Sequence, residues 1–196
     1  MKLQLYDVQD NVTVLGPGLR YVIWTQGCPR RCPGCMTPQS QPLEGGYEVE
    51  VFQLAETILR AGRTGLTISG GEPFLQAQAL CALMEQLRRE RDIGVVIYTG
   101  YTLAELQNSP DPWVKNLLGQ CDLLVDGAYI EVLNDGKNGR GSANQNAIPL
   151  TNRYRAWAET VGTKPAQVEF FWKEEKISMV GVPTREVLER FQQTSF

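Results

Sequence analysis

Three of the five cysteines fall within eight residues, in Gly27-Cys28-Pro29-Arg30-Arg31-Cys32-Pro33-Gly34-Cys35, with the spacing C-x3-C-x2-C. Three thiolates this close on a Pro/Gly-rich stretch suit a shared metal centre, because buried core cysteines rarely crowd onto such a loop. A closed zinc site needs four ligands, usually Cys and His. The chain has no histidine, so a fourth ligand would have to be Cys81, Cys121 or a carboxylate. An iron–sulfur cluster also normally takes four cysteines. Three cysteines on a four-iron cluster leave one iron without a protein ligand, and a small molecule can bind and react there. Spacing alone leaves three readings: cluster, zinc, and a chance grouping of thiols.

A second stretch bears on the choice. Leu66-Thr67-Ile68-Ser69 reads as a short strand and runs into Gly70-Gly71-Glu72-Pro73. Two glycines let a backbone approach a ligand closely, and the carboxylate beside them can accept hydrogen bonds from an ammonium group. By itself this is equally a tight strand-to-helix turn. At the end of the next strand after a three-cysteine loop it favours a ligand site.

The elements that must position these residues follow from apolar patterning. Tyr21-Val22-Ile23-Trp24 reads as a buried strand that delivers the cysteines at its C-terminal end, the edge where parallel α/β sheets gather ligands. Gly94–Tyr98 is a strand ending in Thr99 and Gly100, and Asp122–Val125 one ending in Asp126-Gly127. Thr99 and Gly100 share the cysteines' edge and are candidate ligand contacts. Asp126 is either a site carboxylate or a turn-forming Asp-Gly. Arg140, a bidentate donor in the Gly/Asn/Ser-rich stretch 136–146, serves either the ligand, a partner or solvent.

Helical spacing of Val51, Phe52, Ala55, Ile58 and Leu59 predicts a helix over 48–61 stopped by Gly62. Leu80, Leu83, Met84 and Leu87 line a helix from Leu75 to Arg91 whose basic end suits the helix dipole, with Cys81 beside the stripe as a core residue. Thr102-Leu103-Ala104-Glu105 is a capping box that starts another helix, and a short one follows over 112–118. Strands alternating with helices predict an α/β fold with a mainly parallel sheet and right-handed crossovers. Residues 1–15 read as two short strands or an extended arm, 36–47 as a loop around the cysteines, and 151–163 as a helix. Val168–Trp172 and Ile177–Val180 read as a hairpin with a polar turn at Lys173–Lys176, and Pro183–Gln193 as a last helix. The expected organisation is one domain over 1–150 with a C-terminal extension, 151–196, packed on it.

Together these motifs resemble radical S-adenosylmethionine (SAM) enzymes, whose signature is C-x3-C-x2-C followed by a Gly-Gly-Glu strand end. The closer likeness is to the activating enzymes of glycyl-radical proteins, above all the anaerobic ribonucleotide reductase activase. The matching stretches are Gly16–Arg20, the cysteine loop, Ser69–Pro73, Thr99–Tyr101, Leu124–Gly127 and Arg140–Gln145, in the family's order across residues 5–147. Met36 stands where an aromatic residue usually follows the third cysteine, and being apolar and polarizable it can still cover a cluster and an adenine. Many activases carry Asp where this chain has Glu72.

The resemblance implies an incomplete (β/α) barrel of the radical SAM type, with the C-terminal hairpin and helix as an addition. It implies a [4Fe-4S] cluster on Cys28, Cys32 and Cys35, with SAM on the iron they leave free. Around SAM it places Gly34, Met36, Ser69, Gly70, Gly71, Glu72, Thr99, Gly100, Asp126 and Arg140, with Gly70, Gly71 and Glu72 holding the ammonium. The implied reaction is reductive cleavage of SAM to a 5′-deoxyadenosyl radical that generates a glycyl radical on a partner such as anaerobic ribonucleotide reductase, with flavodoxin or ferredoxin as electron donor. Two other classes stay open: a radical SAM enzyme acting on a small molecule or peptide, and a non-catalytic iron–sulfur or zinc module.

Composition fits a globular protein: 196 residues, 42% hydrophobic and 21% charged. A net charge of −3 with scattered Lys and Arg supplies no broad field for nucleic acid or an anionic membrane. The N-terminus has no signal-peptide pattern and no stretch approaches a transmembrane span. A reducing cytoplasm is the expected compartment for such cysteines.

Overall fold

The computed structural model describes residues 1–173 and 176–194. In chain order it contains β1 (Lys2–Val12), β2 (Arg20–Thr25), β3 (Tyr47–Glu50), α1 (Val51–Ala61), β4 (Gly65–Gly70), α2 (Ala77–Glu90), β5 (Gly94–Tyr98), α3 (Leu103–Gln107), α4 (Pro112–Gly119) and β6 (Leu123–Asp126). Then come β7 (Asn146–Pro149), α5 (Arg155–Ala158), β8 (Val168–Lys173), β9 (Lys176–Gly181) and α6 (Arg185–Gln193). Seven strands form one sheet in the order β3-β1-β2-β4-β5-β6-β7, and β8 and β9 pair separately. The centre, β2-β4-β5-β6, is parallel, and β1, β3 and β7 join antiparallel. This is the expected α/β arrangement, an open sheet rather than a closed barrel.

Both faces of the central strands are covered, which is why they read as continuous apolar runs. Tyr21 and Ile23 of β2, Leu66 and Ile68 of β4, Val95 and Ile97 of β5 and Leu124 of β6 turn toward α1, α2 and α4 and meet Ile58, Leu80, Leu83 and Leu117 there. On the other face Val22 and Trp24 pack with Val12, Leu15 and Val180, and Phe171 and Val182 of the C-terminal segment cover them. Arg20 lies fully buried on this inner face. Its guanidinium donates to the Thr67 hydroxyl, the Leu66, Gly94 and Pro17 carbonyls and the Tyr154 hydroxyl, tying three strands and the segment after β7 to one side chain.

Several expectations change. Of the two readings for residues 1–15 the extended one holds: residues 2–12 form one strand, whose alternation is broken by register shifts between Leu5 and Asp7 and between Gln9 and Val12. The helix expected over 48–61 begins at Val51, because Tyr47–Glu50 pairs with β1 as β3. The helix expected over 151–163 shrinks to Arg155–Ala158, with Tyr154 drawn to Arg20 and Gly162 at φ +75°. The hairpin and last helix stand as expected; residues 174 and 175 of the expected polar turn lie outside the described residues. Among the described residues no helix is long and apolar enough to cross a membrane.

Candidate iron–sulfur site

The cysteine loop leaves β2 at the C-terminal edge of the parallel strands, and backbone hydrogen bonds seat it. Gly27 N–H donates to the Ser40 carbonyl at 2.8 Å and Cys28 N–H to that of Gln41 at 2.9 Å, closing the loop at its base. The Gln26 amide donates to the Gln39 and Pro42 carbonyls. Within the loop Cys35 N–H donates to the Cys32 carbonyl at 3.3 Å, and Arg31 adopts φ +47°, a conformation uncommon for a residue with a side chain.

The loop is also joined to the end of β4. Gly71 N–H donates to the Thr25 carbonyl at 2.7 Å and Glu72 N–H to that of Gly27 at 2.8 Å. Backbone here packs on backbone. A Cβ at Gly71 would lie 2.7 Å from the Gly27 carbonyl carbon and 2.9 Å from the Ser40 oxygen. One at Gly70, whose φ is +98°, would lie 2.6 Å from the Thr25 oxygen. The glycine pair therefore has a structural duty in addition to any contact with a ligand.

A cavity of about 150 Å³ opens above this junction. Cys28, Cys32, Cys35 and Met36 line it from the loop, and Ser69, Gly70, Gly71, Thr99 and Gly100 from the strand ends. All three thiols are free and partly exposed. Burial pushes the Cys28 thiol up, and the backbone N–H groups of Arg30 and Arg31 pull it down. Among the residues lining the cavity the three cysteines are the only thiols, and none of the lining residues is a carboxylate. Three cysteines with no fourth Cys, His or carboxylate in the lining supply the donor set of a cluster with one open iron rather than the four ligands of a closed zinc site. Cys81 and Cys121 are core residues whose thiols burial pushes up to about 11 and about 12, where they stay protonated.

Glu72 departs from the expectation that it faces a ligand. It is fully buried beneath the cavity and is not among its lining residues. Its carboxylate accepts from the Thr99 hydroxyl at 2.8 Å, Phe74 N–H at 3.1 Å and Gly100 N–H at 2.9 Å. Those bonds tie the end of β4 to the end of β5. Burial raises its pKa to about 7 against the pull of the three donors. Thr99 and Gly100 line the cavity, but the Thr99 hydroxyl and the Gly100 N–H are both committed to Glu72.

Three further candidates lie outside the lining. Asp126 is buried, with its carboxylate accepting from Leu103 N–H at 2.8 Å and from the Asn146 amide at 3.1 Å; it caps α3 and holds β7. Arg140 pairs with Asp135 at 2.7 Å and donates to the Ala143 carbonyl. Gly34 backs onto Glu131, whose carboxylate carbon lies 2.5 Å from where its Cβ would be. Conversely, Trp24, Arg30, Tyr98, Tyr129 and Gln145 line the cavity without having been expected there. Trp24 and Tyr98 alternate with core residues on β2 and β5, so strand periodicity could have flagged them; Arg30, Tyr129 and Gln145 reach the cavity through loop geometry.

A sheet carrying three free cysteines around a cavity at its parallel-strand edge has the donor set that an α/β iron–sulfur protein needs. A family profile described as "4Fe-4S single cluster domain" matches residues 14–148, leaving the segment that contains β8, β9 and α6 outside it. The anaerobic ribonucleoside-triphosphate reductase-activating protein of Vibrio cholerae serotype O1 is 38% identical over 143 residues, covering 67% of this chain and 88% of its own length. The Salmonella typhi protein of that name is 35% identical over 145 residues, 67% of this chain and 89% of its own. The pyruvate formate-lyase-activating enzyme of Staphylococcus epidermidis is 40% identical over 95 residues, 45% of this chain but only 38% of its own. The chain belongs to the radical SAM family of activating enzymes.

Proposed function

We propose that this protein binds a [4Fe-4S] cluster through Cys28, Cys32 and Cys35 and SAM in the adjoining cavity, and activates a glycyl-radical enzyme. The observation that supports it best is the seating of a three-cysteine loop against Gly70-Gly71 around a single cavity. When bound, the cluster and SAM would supply one-electron cleavage of SAM's carbon–sulfur bond, with an electron from the reductant, to methionine and a 5′-deoxyadenosyl radical able to take a hydrogen atom from a glycine Cα of the partner.

The protein's own part is positioning and exclusion. Cys28, Cys32 and Cys35 would hold the cluster. Ser69, Gly70 and Gly71 present backbone and hydroxyl groups at the strand end, and Met36 and Trp24 cover the apolar wall. Glu72 acts from beneath, fixing the ends of β4 and β5 on which the ligand rests. Asp126 and Arg140 act likewise on the surrounding loops. No side-chain base is needed. Residues 1–150 form the radical SAM unit; of the extension, 151–196, Phe171, Val180 and Val182 pack on its inner face, and Gly181 and Val182 join the cavity wall. Anaerobic ribonucleotide reductase is the proposed partner, with flavodoxin or ferredoxin as reductant and the cytoplasm as compartment.

The test is anaerobic reconstitution followed by incubation with SAM and dithionite. Iron and sulfide near four per chain and formation of 5′-deoxyadenosine are expected, together with a glycyl radical when the reductase is added. One zinc per chain with no cleavage would reject the reading.

A further inference from the structure

The C-terminal segment lies outside the matched family profile, which ends at residue 148, yet it builds a second opening beside the cavity. This is a groove of about 290 Å³. Its lining joins Ile177–Gly181 of β9 and Leu188 and Phe191 of α6 to Met36–Gln39 of the chain leaving the cysteines and to Tyr6 and Asp7 of β1. Trp24, Met36, Thr37 and Gly181 line both the groove and the cavity, so the two adjoin.

Five consecutive residues of one strand line the groove. Side chains alternate between the two faces of a strand, so an unbroken run marks the strand's edge. Among the described residues β9 pairs with β8 alone, which leaves the backbone N–H and C=O groups of its other edge without a strand. Natural sheet edges are usually blunted by charge or proline; Ile177–Gly181 contains neither. The apolar surface continues past this edge, because Phe170 and Trp172, the cross-strand partners of Met179 and Ile177, are exposed. An open strand edge flanked by exposed aromatic side chains suits a polypeptide laid alongside it. Asp7 is the one charged residue in the lining, so the groove favours an uncharged or basic segment over an acidic one.

We infer that the open edge of β9 takes an extended, uncharged or basic segment of the partner protein as an added strand and leads its glycine into the cavity. This rests on the proposed activation of a glycyl-radical enzyme. Glycine has no side chain to grasp, so its recognition must come from backbone hydrogen bonds and from the residues on either side of it. A strand edge with apolar flanks offers both. β9 also runs the right way: its last residue, Gly181, is part of the cavity wall. A segment laid along Ile177–Gly181 spans about 13 Å at about 3.3 Å per residue and has one end at the cavity. The extension, rather than the cysteine-bearing sheet, thereby selects the partner.

The test uses the full-length reconstituted protein with SAM, dithionite and two probes: intact anaerobic ribonucleotide reductase, and a synthetic peptide spanning its glycine segment. Met179→Glu and Leu188→Glu each place a carboxylate in the groove at a position that does not line the cavity. Each is expected to raise the KM for the reductase in glycyl-radical formation about tenfold or more, with iron content, SAM affinity and partner-free SAM cleavage within about twofold of wild type. The peptide, methylated at alternate backbone amides, distinguishes strand pairing from simple burial. Methylation of the set facing β9 should abolish binding, and methylation of the other set should change it by less than about threefold. An unchanged KM in both variants, a peptide that wild type does not bind, or equal loss from the two methylated sets would each overturn the inference. So would dimerisation of the wild type that Met179→Glu abolishes, which would give the edge to a second copy of this chain. Wild-type protein that cleaves no SAM, or leaves the reductase without a radical, would instead remove the proposed function itself.

Discussion

Adding one methyl group at Gly71 tests how the cysteine loop is held. The methyl would intrude on two backbone carbonyls, 2.7 Å from the Gly27 carbon and 2.9 Å from the Ser40 oxygen, and neither can rotate away as a side chain could. The loop must lift, which disrupts the Gly71-to-Thr25 and Glu72-to-Gly27 hydrogen bonds. Two backbone bonds at about 1 kcal/mol each, plus at least about 1 kcal/mol of overpacking, give a loss of about 3 kcal/mol. For a chain of this length that is a fall in Tm of about 6–12 °C. Anaerobic calorimetry of the reconstituted protein reads the Tm, and iron analysis reads the cluster; both should drop in Gly71→Ala. Gly119→Ala is the control, since nothing lies within 4 Å of its Cβ position and alanine there costs nothing in α4. If Gly71→Ala melted within about 2 °C of wild type with full iron, the backbone junction would not be what seats the loop.

Other outcomes follow from single side chains. The Glu72 pKa is raised from 4.5 to about 7 in the folded protein, so the native state holds an extra proton between those values. Stability from this group is therefore greatest below pH 4.5 and falls as pH rises toward 7, by about 3 kcal/mol in all. In anaerobic melting curves the stability of wild type relative to Glu72→Gln should fall as pH rises through this window; a pH-independent difference would show that the carboxyl titrates normally. Cys32→Ala should lose the cluster, whereas Cys81→Ala and Cys121→Ala should keep full iron, at a cost in stability of about 1–2 kcal/mol; iron loss from Cys81→Ala would reveal a fourth ligand. Arg140→Ala should weaken SAM only indirectly, by about threefold or less in equilibrium dialysis, because its guanidinium pairs with Asp135 and the Ala143 carbonyl rather than lining the cavity.

The parallel centre was legible because each strand is buried on both faces and announces itself as an apolar run, as in Tyr21–Trp24 and Val95–Ile97. The helix around Leu80, Leu83, Met84 and Leu87 and the capping box at Thr102 were legible because their signals are local. β7 was not: four residues ending a Gly/Asn/Ser-rich stretch become a strand only because β6 offers an edge. The same applies to Tyr47–Glu50 on β1. Within the site the cysteine spacing carried the donor set. The directions of Glu72 and Arg30 depend on contacts with the segment from the end of β5 into α3, from 27 to 75 residues away in the chain, and no spacing rule encodes those. Strand-end position placed Asp126 at the correct edge, but an edge residue can cap a helix as readily as face a ligand.

The central claim is that Cys28, Cys32 and Cys35 leave one iron of the cluster open to SAM. Electron paramagnetic resonance of the dithionite-reduced, reconstituted protein, recorded with and without SAM, reads it most directly. A reduced-cluster signal that changes on adding SAM is the expected result; a spectrum indifferent to SAM, from protein with a full complement of iron, would contradict it.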